Sequence, residues 1–126
     1  MSKQVKVLIV DDQLRARQSL KALLATWPLI GETHEAINGQ EAIHRIEQAQ
    51  PDLVLMDVRM PVMDGLQATC HIKRHWPQIK VIVLSMYGDC QVDAFAAGAD
   101  AFMGKGESPE TVLDRITKTL HDRSQT

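Results

Sequence analysis

The sequence predicts an α/β fold in which five strands alternate with five helices. Short, continuous apolar runs recur along the chain, such as Val5–Val10 and 53–56, and they are typical of strands buried on both faces of a parallel sheet. Between these runs lie segments whose apolar residues recur at helical spacing. Proline and glycine separate the units. This alternation favours a parallel sheet with right-handed crossovers and helices on both faces.

In the first half of the chain, the pattern predicts three strands and two helices. They are a strand at 5–10, a helix at 14–27, a polar edge strand at 30–36, a helix at 40–50 and a strand ending at Asp57. In the first helix, Arg15, Arg17 and Lys21 are predicted to face outward, opposite the apolar stripe. Asn38-Gly39 is typical of a turn before the second helix.

In the second half, the elements are predicted from caps as well as from apolar runs. They are a helix at 65–75, a strand at 79–84, a short helix around 90–97, a strand at 99–103 and a last helix. Asp64 and Ser108 are predicted N-caps, Pro109 the first residue of the last helix, and Gly98 a C-cap. We assign residues 1–122 to one domain and 123–126 to a polar tail or the start of a linker.

The composition excludes several classes of protein. The chain has 126 residues, 44% of them hydrophobic, and a net charge of −2, which predicts one domain with a real core. Direct contact with nucleic acid is disfavoured, because such domains normally carry a basic face. The apolar runs are too short to span a membrane, and the polar start does not resemble a signal peptide. Cys70 and Cys90 are predicted to be free thiols, and a cytoplasmic location is expected.

Five chemically active side chains are predicted to meet at one edge of the sheet. Open α/β sheets bind ligands where the carboxyl ends of their strands gather. The residues placed there are Asp11, Asp12, Asp57, Ser85 and Lys105. Each has an ordinary explanation when taken alone: turn residues, a strand-end hydroxyl or a loop lysine. Their coincidence at one edge favours a functional site.

The charges of this cluster indicate which chemistry it could support. Two carboxylates about 4 Å apart repel each other by about 4 kcal/mol at an effective dielectric constant of about 20. Three of them therefore need a proton or cations, and Mg²⁺ suits a site of few carboxylates. Asp57 could then act as a nucleophile toward phosphorus, with Lys105 and the metal neutralising the phosphoryl oxygens and Ser85 donating a hydrogen bond. The missing Gly-rich loop after the first strand disfavours nucleotide or FMN binding.

Short motifs surround the five residues of this cluster and continue along the chain: Val10-Asp11-Asp12, Met56-Asp57-Val58-Arg59-Met60-Pro61, Met63-Asp64-Gly65, Leu84-Ser85, Ala97-Gly98-Ala99-Asp100, and Phe102 three residues before Lys105. By these motifs, and over residues 4–121, the chain resembles the receiver domain of two-component response regulators. The resemblance implies a flavodoxin-like three-layer (βα)5 sandwich whose five-stranded parallel sheet has the order 2-1-3-4-5. The start of the last helix and Gly98 resemble the subclass that usually carries a helix-turn-helix output domain.

The resemblance also implies a role for each acidic residue of the cluster. Asp57 matches the phosphoacceptor, which is charged by a sensor histidine kinase or a phosphotransfer protein. Asp12 matches a direct Mg²⁺ ligand, Asp11 a ligand that acts mainly through water, and the backbone carbonyl of Arg59 a further ligand. A domain of this kind catalyses only its own phosphorylation and dephosphorylation.

Ser85 and Phe102 match the pair of residues that rearrange together on phosphorylation and switch the output surface. A C-terminal DNA-binding output domain outside this chain and a phosphorylation-dependent homodimer are further expectations of the resemblance. Two departures from the family pattern stand out. Gly106 follows Lys105 where the family often has a proline, so no cis bond is expected there. The segment between Ser85 and Gly98 is shorter than usual, in the region of the expected output surface.

Two other functions fit parts of the cluster. The first is a Mg²⁺-dependent phosphohydrolase with Asp57 as nucleophile; such enzymes usually keep an acid two residues later, where this chain has Arg59. The second is a binding module with a vestigial pocket, against which the complete set of five residues argues. His71 and His75 have a spacing that can bind zinc, but a solvated helix face is favoured because no third ligand lies nearby.

Overall fold

The computed structural model describes residues 4–86 and 88–122, and for Asp89 it describes the backbone only. The predicted tail at 123–126 lies outside these residues. The strands are β1 (Val5–Val10), β2 (Ile30–Ala36), β3 (Leu53–Asp57), β4 (Lys80–Ser85) and β5 (Ala101–Gly104). The helices are α1 (Leu14–Ala25), α2 (Gly39–Gln48), α3 (Gly65–His75), α4 (Gln91–Ala96) and α5 (Pro109–His121), with a 3₁₀ turn at Gly88–Cys90.

The five strands are parallel and have the order β2-β1-β3-β4-β5, which confirms the predicted fold. Successive side chains of a strand point to opposite faces, so each strand contributes to two cores. The core beneath α2, α3 and α4 includes Val54, Met56 and Ile72. The core beneath α1 and α5 includes Leu53, Leu55 and Ile116. Because β3 is the central strand, all five of its residues are buried.

Helix caps account for several element boundaries. The Asp64 side chain accepts a hydrogen bond from the backbone N–H of Gln67 at 2.8 Å, and Ser108 caps α5, as predicted. The chain bends at Ile37 and Asn38, at the predicted turn, but the Asn38 side chain accepts from the N–H of Glu41, so α2 begins at Gly39, one residue earlier than predicted. Gly98 has a φ of 102°, which glycine tolerates after the end of α4.

Other boundaries move by a few residues. Helix α1 ends at Ala25 rather than 27, α2 ends at Gln48 rather than 50, and β5 begins at Ala101 rather than 99. Strand β4 runs to Ser85, so the hydroxyl of this residue stands at the end of the strand itself. Between β4 and β5 the α-helical part has only six residues. Among the described residues, there is no cis peptide bond and no helix long and apolar enough to cross a membrane.

The main error in the predicted pattern of α1 is the outward, solvated position of Arg17. Its side chain is only 12% exposed, although the spacing places it outside the apolar stripe. Its Nε donates to Glu35 Oε1 at 2.8 Å, and its Nη1 donates to the backbone carbonyl of Asp11 at 2.8 Å. The long arginine side chain therefore reaches from α1 over the ends of β1 and β2.

Lys73 joins three segments at the edge of the sheet where β4 and β5 begin. Its ammonium group donates to the backbone carbonyls of Pro77 and Ile79, and to Asp100 Oδ2 at 2.9 Å. The same Asp100 oxygen accepts from the backbone N–H of Val81 at 2.8 Å. All three donors of the ammonium are used, so Lys73 fixes the end of α3 to the start of β4 and to the turn before β5.

We expect Lys73→Met to lower the free energy of unfolding by about 1.5–3 kcal/mol, because it removes hydrogen bonds of a charged group and leaves Asp100 without its cation. Lys118→Met is the matched control: its ion pair with Asp114 lies on the exposed face of α5 and should contribute at most about 0.5 kcal/mol. Urea denaturation of both variants measures the difference. Equal losses in the two variants would contradict a structural role of Lys73.

Candidate functional site

The acidic cluster is assembled from the carboxyl ends of two adjacent strands. Asp57 is the last residue of β3, and Asp11 and Asp12 directly follow β1. One carboxylate oxygen from each of the three lies within 4.8 Å of the others. Asp11 and Asp57 are buried, whereas Asp12 is exposed. The predicted convergence of these residues is therefore present in the fold.

Lys105 is the cation of the cluster. Its Nζ lies 2.8 Å from Asp11 Oδ2 and 3.0 Å from Asp57 Oδ1, so one ammonium bridges two carboxylates. The backbone N–H of Lys105 donates to the carbonyl of Ser85 at 2.8 Å, which positions the loop after β5. Three carboxylates around one ammonium leave an excess of two negative charges, which can attract a cation.

Asp11 is held by its backbone as well as by its side chain. Its Oδ1 accepts from the N–H of Gln13 at 2.9 Å, which turns the chain into α1. Its carbonyl accepts from Arg17, the contact that the spacing of α1 did not predict. An arginine five residues after the acidic pair is a weak signal, because nothing in the sequence distinguishes an arginine that makes this contact from a solvated one.

The two central charges have altered pKa values. Burial raises the pKa of Asp57 above its usual value, and the negative charge of Asp11 adds to the rise, while the hydrogen bond from Lys105 and its charge oppose it. Burial alone would lower the pKa of Lys105, but its hydrogen bonds to Asp11 and Asp57 outweigh burial and raise it. The ammonium is thus held charged, and the ionised Asp57 carboxylate is unfavourable in the folded protein without a further cation.

We expect Asp57→Asn to raise the free energy of unfolding at pH 7 without divalent metal. The folded protein holds the Asp57 proton to a higher pH than the unfolded chain does, so stability falls as the pH rises above about 3.8. The amide in Asp57→Asn cannot ionise, so the variant avoids this fall in stability. The difference in free energy of unfolding between the variant and wild type should therefore shrink toward pH 3. Denaturation of wild type, Asp57→Asn and the exposed control Asp114→Asn between pH 3 and 7 (roughly the range of carboxylate titration) tests this. A gain that is independent of pH would contradict the explanation.

The loop after Asp57 has a constrained backbone. The N–H of Gly65 donates to the carbonyl of Val58 at 2.8 Å, and a Cβ at Gly65 would collide with the carbonyl oxygen of Asp57. Val62 has a φ of 71°, which is an uncommon backbone conformation for a β-branched residue. The close approach of α3 to the end of β3 therefore requires glycine and fixes the backbone that carries the Asp57 carboxylate.

Ser85 and Phe102 lie on one face of the sheet. Ser85 is buried at the end of β4 and pairs in register with Gly104, while Phe102 is buried and pairs with Val83. Because side chains alternate along a strand, Ser85 shares the face of Val83, where the Phe102 ring packs in the core beneath α2–α4. The two predicted switch residues are thus diagonal neighbours on that face.

Two further sequence hypotheses have different outcomes. Arg59 is exposed in the loop two residues after Asp57, and metal binding by its carbonyl stays a prediction. The rings of His71 and His75 stack with centroids 4.1 Å apart on α3. In the described part of the chain, the only cluster of three metal-binding side chains is that of Asp11, Asp12 and Asp57. The zinc hypothesis therefore has no further support.

Fold and site together define a class: an open, parallel α/β domain with an acidic cluster and a bridging lysine at the carboxyl edge of its sheet. The family model of the response regulator receiver domain matches residues 7–117. The chain therefore belongs to the family of response regulator receiver domains, as its motifs predict. This membership disfavours the phosphohydrolase alternative.

Individual relatives agree with this assignment. The chain is 38% identical over 122 residues to the response regulator protein VraR of Staphylococcus aureus, covering 95% of this chain and 58% of that relative. It therefore spans less than two thirds of VraR. The NarL receiver domain of Mycobacterium tuberculosis is 25% identical with a TM-score of 0.87, covering 96% of this chain and 99% of that one. A LuxR-family DNA-binding response regulator of S. aureus is 27% identical with a TM-score of 0.82, covering 93% and 99%.

Proposed function

We propose that Asp57 accepts a phosphoryl group from a phosphohistidine and that this chain is the switch of a two-component response regulator. The observation that carries the proposal is the bridge from Lys105 to both Asp11 and Asp57, with Asp12 beside them. An isolated strand-end aspartate has no such neighbours. Here the nucleophile, a cation for the incoming phosphoryl oxygens and a set of metal ligands are already together.

The transfer itself needs little chemistry from the protein. A carboxylate oxygen of Asp57 forms a bond to phosphorus, and the bond between phosphorus and the imidazole nitrogen of the donor breaks. Lys105 already touches Asp57, so its ammonium can move to a phosphoryl oxygen with a small displacement. Since Arg59 replaces the acid that phosphohydrolases use on their leaving group, the chain would catalyse only its own phosphorylation and dephosphorylation.

The acidic cluster fits Mg²⁺ as the cofactor. This ion prefers a few carboxylates, together with water and phosphate oxygens, and three carboxylate oxygens lie within 4.8 Å of one another here. Asp12 and Asp57 would hold it directly, Asp11 mainly through water, and the carbonyl of Arg59 would complete the set. When bound, the ion neutralises charge on the phosphoryl group during transfer.

The proposed acceptor is tested by incubation with acetyl phosphate and Mg²⁺, followed by measurement of the intact mass. Wild type should gain the mass of one phosphoryl group, and Asp57→Asn should gain none. Asp52→Asn, at the other end of β3, is the matched control and should be modified like wild type. An equal mass gain in wild type and Asp57→Asn would refute the assignment.

The proposed metal site is tested by thermal and urea denaturation with and without Mg²⁺. At tenfold excess over its dissociation constant, the ion should raise the free energy of unfolding by about 1.4 kcal/mol. Asp12→Asn should be more stable than wild type without metal, because like-charge repulsion is relieved, and it should lose most of the increase. The exposed α4 variant Asp93→Asn should retain it. A full increase in Asp12→Asn would exclude Asp12 as a ligand.

Phosphorylation would be transmitted through Ser85 and Phe102. The phosphoryl group adds acceptor oxygens at Asp57 that the Ser85 hydroxyl and Lys105 can approach by moving inward. Shifting a two-state equilibrium from 1:99 to 99:1 takes about 5.5 kcal/mol of differential interaction, and two charge-assisted hydrogen bonds of about 1.5–3 kcal/mol each supply most of it. The position of Phe102 as diagonal neighbour of Ser85 gives the motion a direct path to the core beneath α4.

Amide NMR spectra with and without beryllofluoride, a phosphoryl mimic, test this path. Wild type should show large shifts at Phe102 and along α5, and Ser85→Ala should show much smaller ones. Ser19→Ala, which removes an exposed hydroxyl from α1, should behave like wild type. Changes confined to the loops at Asp12, Asp57 and Lys105 in wild type would exclude switching through this face.

The proposed partners follow from the family. A sensor histidine kinase or a phosphotransfer protein would be the phosphoryl donor in the cytoplasm. The DNA-binding activity named for a LuxR-family relative supports a transcriptional output through a domain outside this chain. The elements flanking Ser85 and Phe102, which are α4, β5 and α5, are the proposed output surface and a candidate interface for a phosphorylation-dependent homodimer. Size-exclusion chromatography with and without beryllofluoride would detect such a dimer.

A further inference from the structure

A cavity of about 300 Å³ lies between α1 and α5, above the centre of the sheet. Its apolar lining comes from the strands and from both helices: Leu55, Leu84, Leu20, Leu23 and Val112. At one end it reaches Asp57 and Lys105. Exposed residues, among them Ser19 and Glu107, also border the cavity, so small molecules can enter it from solvent.

The cavity follows from how the two helices sit on the sheet. Helix α1 packs on β1 and β2, and α5 packs on β4 and β5. The central strand β3 therefore lies beneath the gap between them. Small residues border this gap on both sides, including Ala16 of α1 and Gly104 of β5. The volume falls in the range of small-molecule pockets, and a molecule that fills it removes apolar surface from water.

The charged residues at the inner end of the cavity determine whether a cationic or an anionic ligand is favoured. Asp11 and Asp57 contribute two negative charges there and Lys105 one positive charge, and Glu107 adds a further negative charge at the exposed border of the cavity. Without Mg²⁺, the Lys105 ammonium donates to Asp11 and Asp57, so an anion in the cavity gains a contact with Lys105 only by displacing a carboxylate, as the phosphoryl group would in the proposed transfer. An anionic ligand would also lie beside buried carboxylates. A cationic group, in contrast, is attracted to the Asp57 carboxylate.

We propose that this cavity binds a small aromatic molecule that carries one ammonium group. The ring lies among Leu20, Leu23 and Val112, and the ammonium group contacts the Asp57 carboxylate. The ligand then occupies the carboxylate proposed to bind Mg²⁺, so ligand and metal exclude each other. Binding of the amine does not depend on phosphorylation of Asp57, because it uses only the cavity and its charges, and only the competition with Mg²⁺ rests on the proposed metal site.

The first experiment compares 2-phenylethylamine with its uncharged analogue 2-phenylethanol in NMR titrations of the 126-residue chain without Mg²⁺. The amine should bind with a dissociation constant at least tenfold below that of the alcohol, and the shifted amides should include those of Leu20, Leu55 and Val112. Addition of Mg²⁺ should weaken the amine and leave the alcohol unchanged. Equal affinities, or shifts spread over the surface away from the cavity, would overturn the proposal.

The second experiment fills the cavity. Ala16→Leu should abolish binding of the amine, whereas Ala22→Leu, the same change at an exposed position of α1 outside the lining, should leave it unchanged. Asp57→Asn keeps the cavity and removes its charge, so the amine should then bind no better than the alcohol. Undiminished binding to Ala16→Leu or Asp57→Asn would overturn the proposal. If Ala16→Leu does not fold, Asp57→Asn decides the matter by itself.

Discussion

The repulsion among three carboxylates at the carboxyl edge of the sheet is the constraint on which the rest of this structure depends. At separations below 4.8 Å and an effective dielectric constant of about 20, each close pair repels by more than about 3 kcal/mol. Lys105 compensates only part of this repulsion, and burial further disfavours the ionised form of Asp57, so that its pKa is raised. The fold must therefore hold together an arrangement that its own electrostatics disfavour. A site of this kind gains stability when a cation enters, because the cation neutralises carboxylates that otherwise repel one another.

The scaffold fixes the charges through its backbone. Asp57 ends a strand that is buried on both faces, and Gly65 lets α3 approach the carbonyl of Asp57 closely. Arg17 holds the carbonyl of Asp11 from the first helix, and the carbonyl of Ser85 fixes the loop of Lys105. None of these contacts lies between the three carboxylates themselves. The backbone that carries the carboxylates is therefore held by contacts other than those that a metal or a phosphoryl group would use.

The sequence predicts the fold and the site well where the signal is local. Continuous apolar runs identify the central strands, and caps such as Asp64 and Ser108 locate helix starts, because both depend on near neighbours. Asp11, Asp57 and Lys105 could be placed together because the carboxyl ends of parallel strands share an edge. The ion pair of Lys73 with Asp100 could not be predicted, since it joins residues 27 positions apart and only the packed fold brings them into contact. The contact of Arg17 with Glu35 and the gap between α1 and α5 could not be predicted either, for the same reason.

Asp57 lies on one face of the sheet, and the pair Ser85 and Phe102 lies on the other. Leu55 and Leu84 place Asp57 on the face of α1 and α5, where the cavity lies, while Ser85 and Phe102 lie on the face of α2–α4. A ligand in the cavity can thus contact the Asp57 carboxylate, the proposed phosphoacceptor, without touching Ser85 or Phe102, the residues proposed to transmit its state. In the proposed transfer, a phosphoryl group on Asp57 would extend beyond the end of β3, toward Ser85 at the end of the neighbouring strand β4. Occupancy of the cavity would accordingly block the input of the switch, and only a group attached at the edge of the sheet would alter the packing beneath α4.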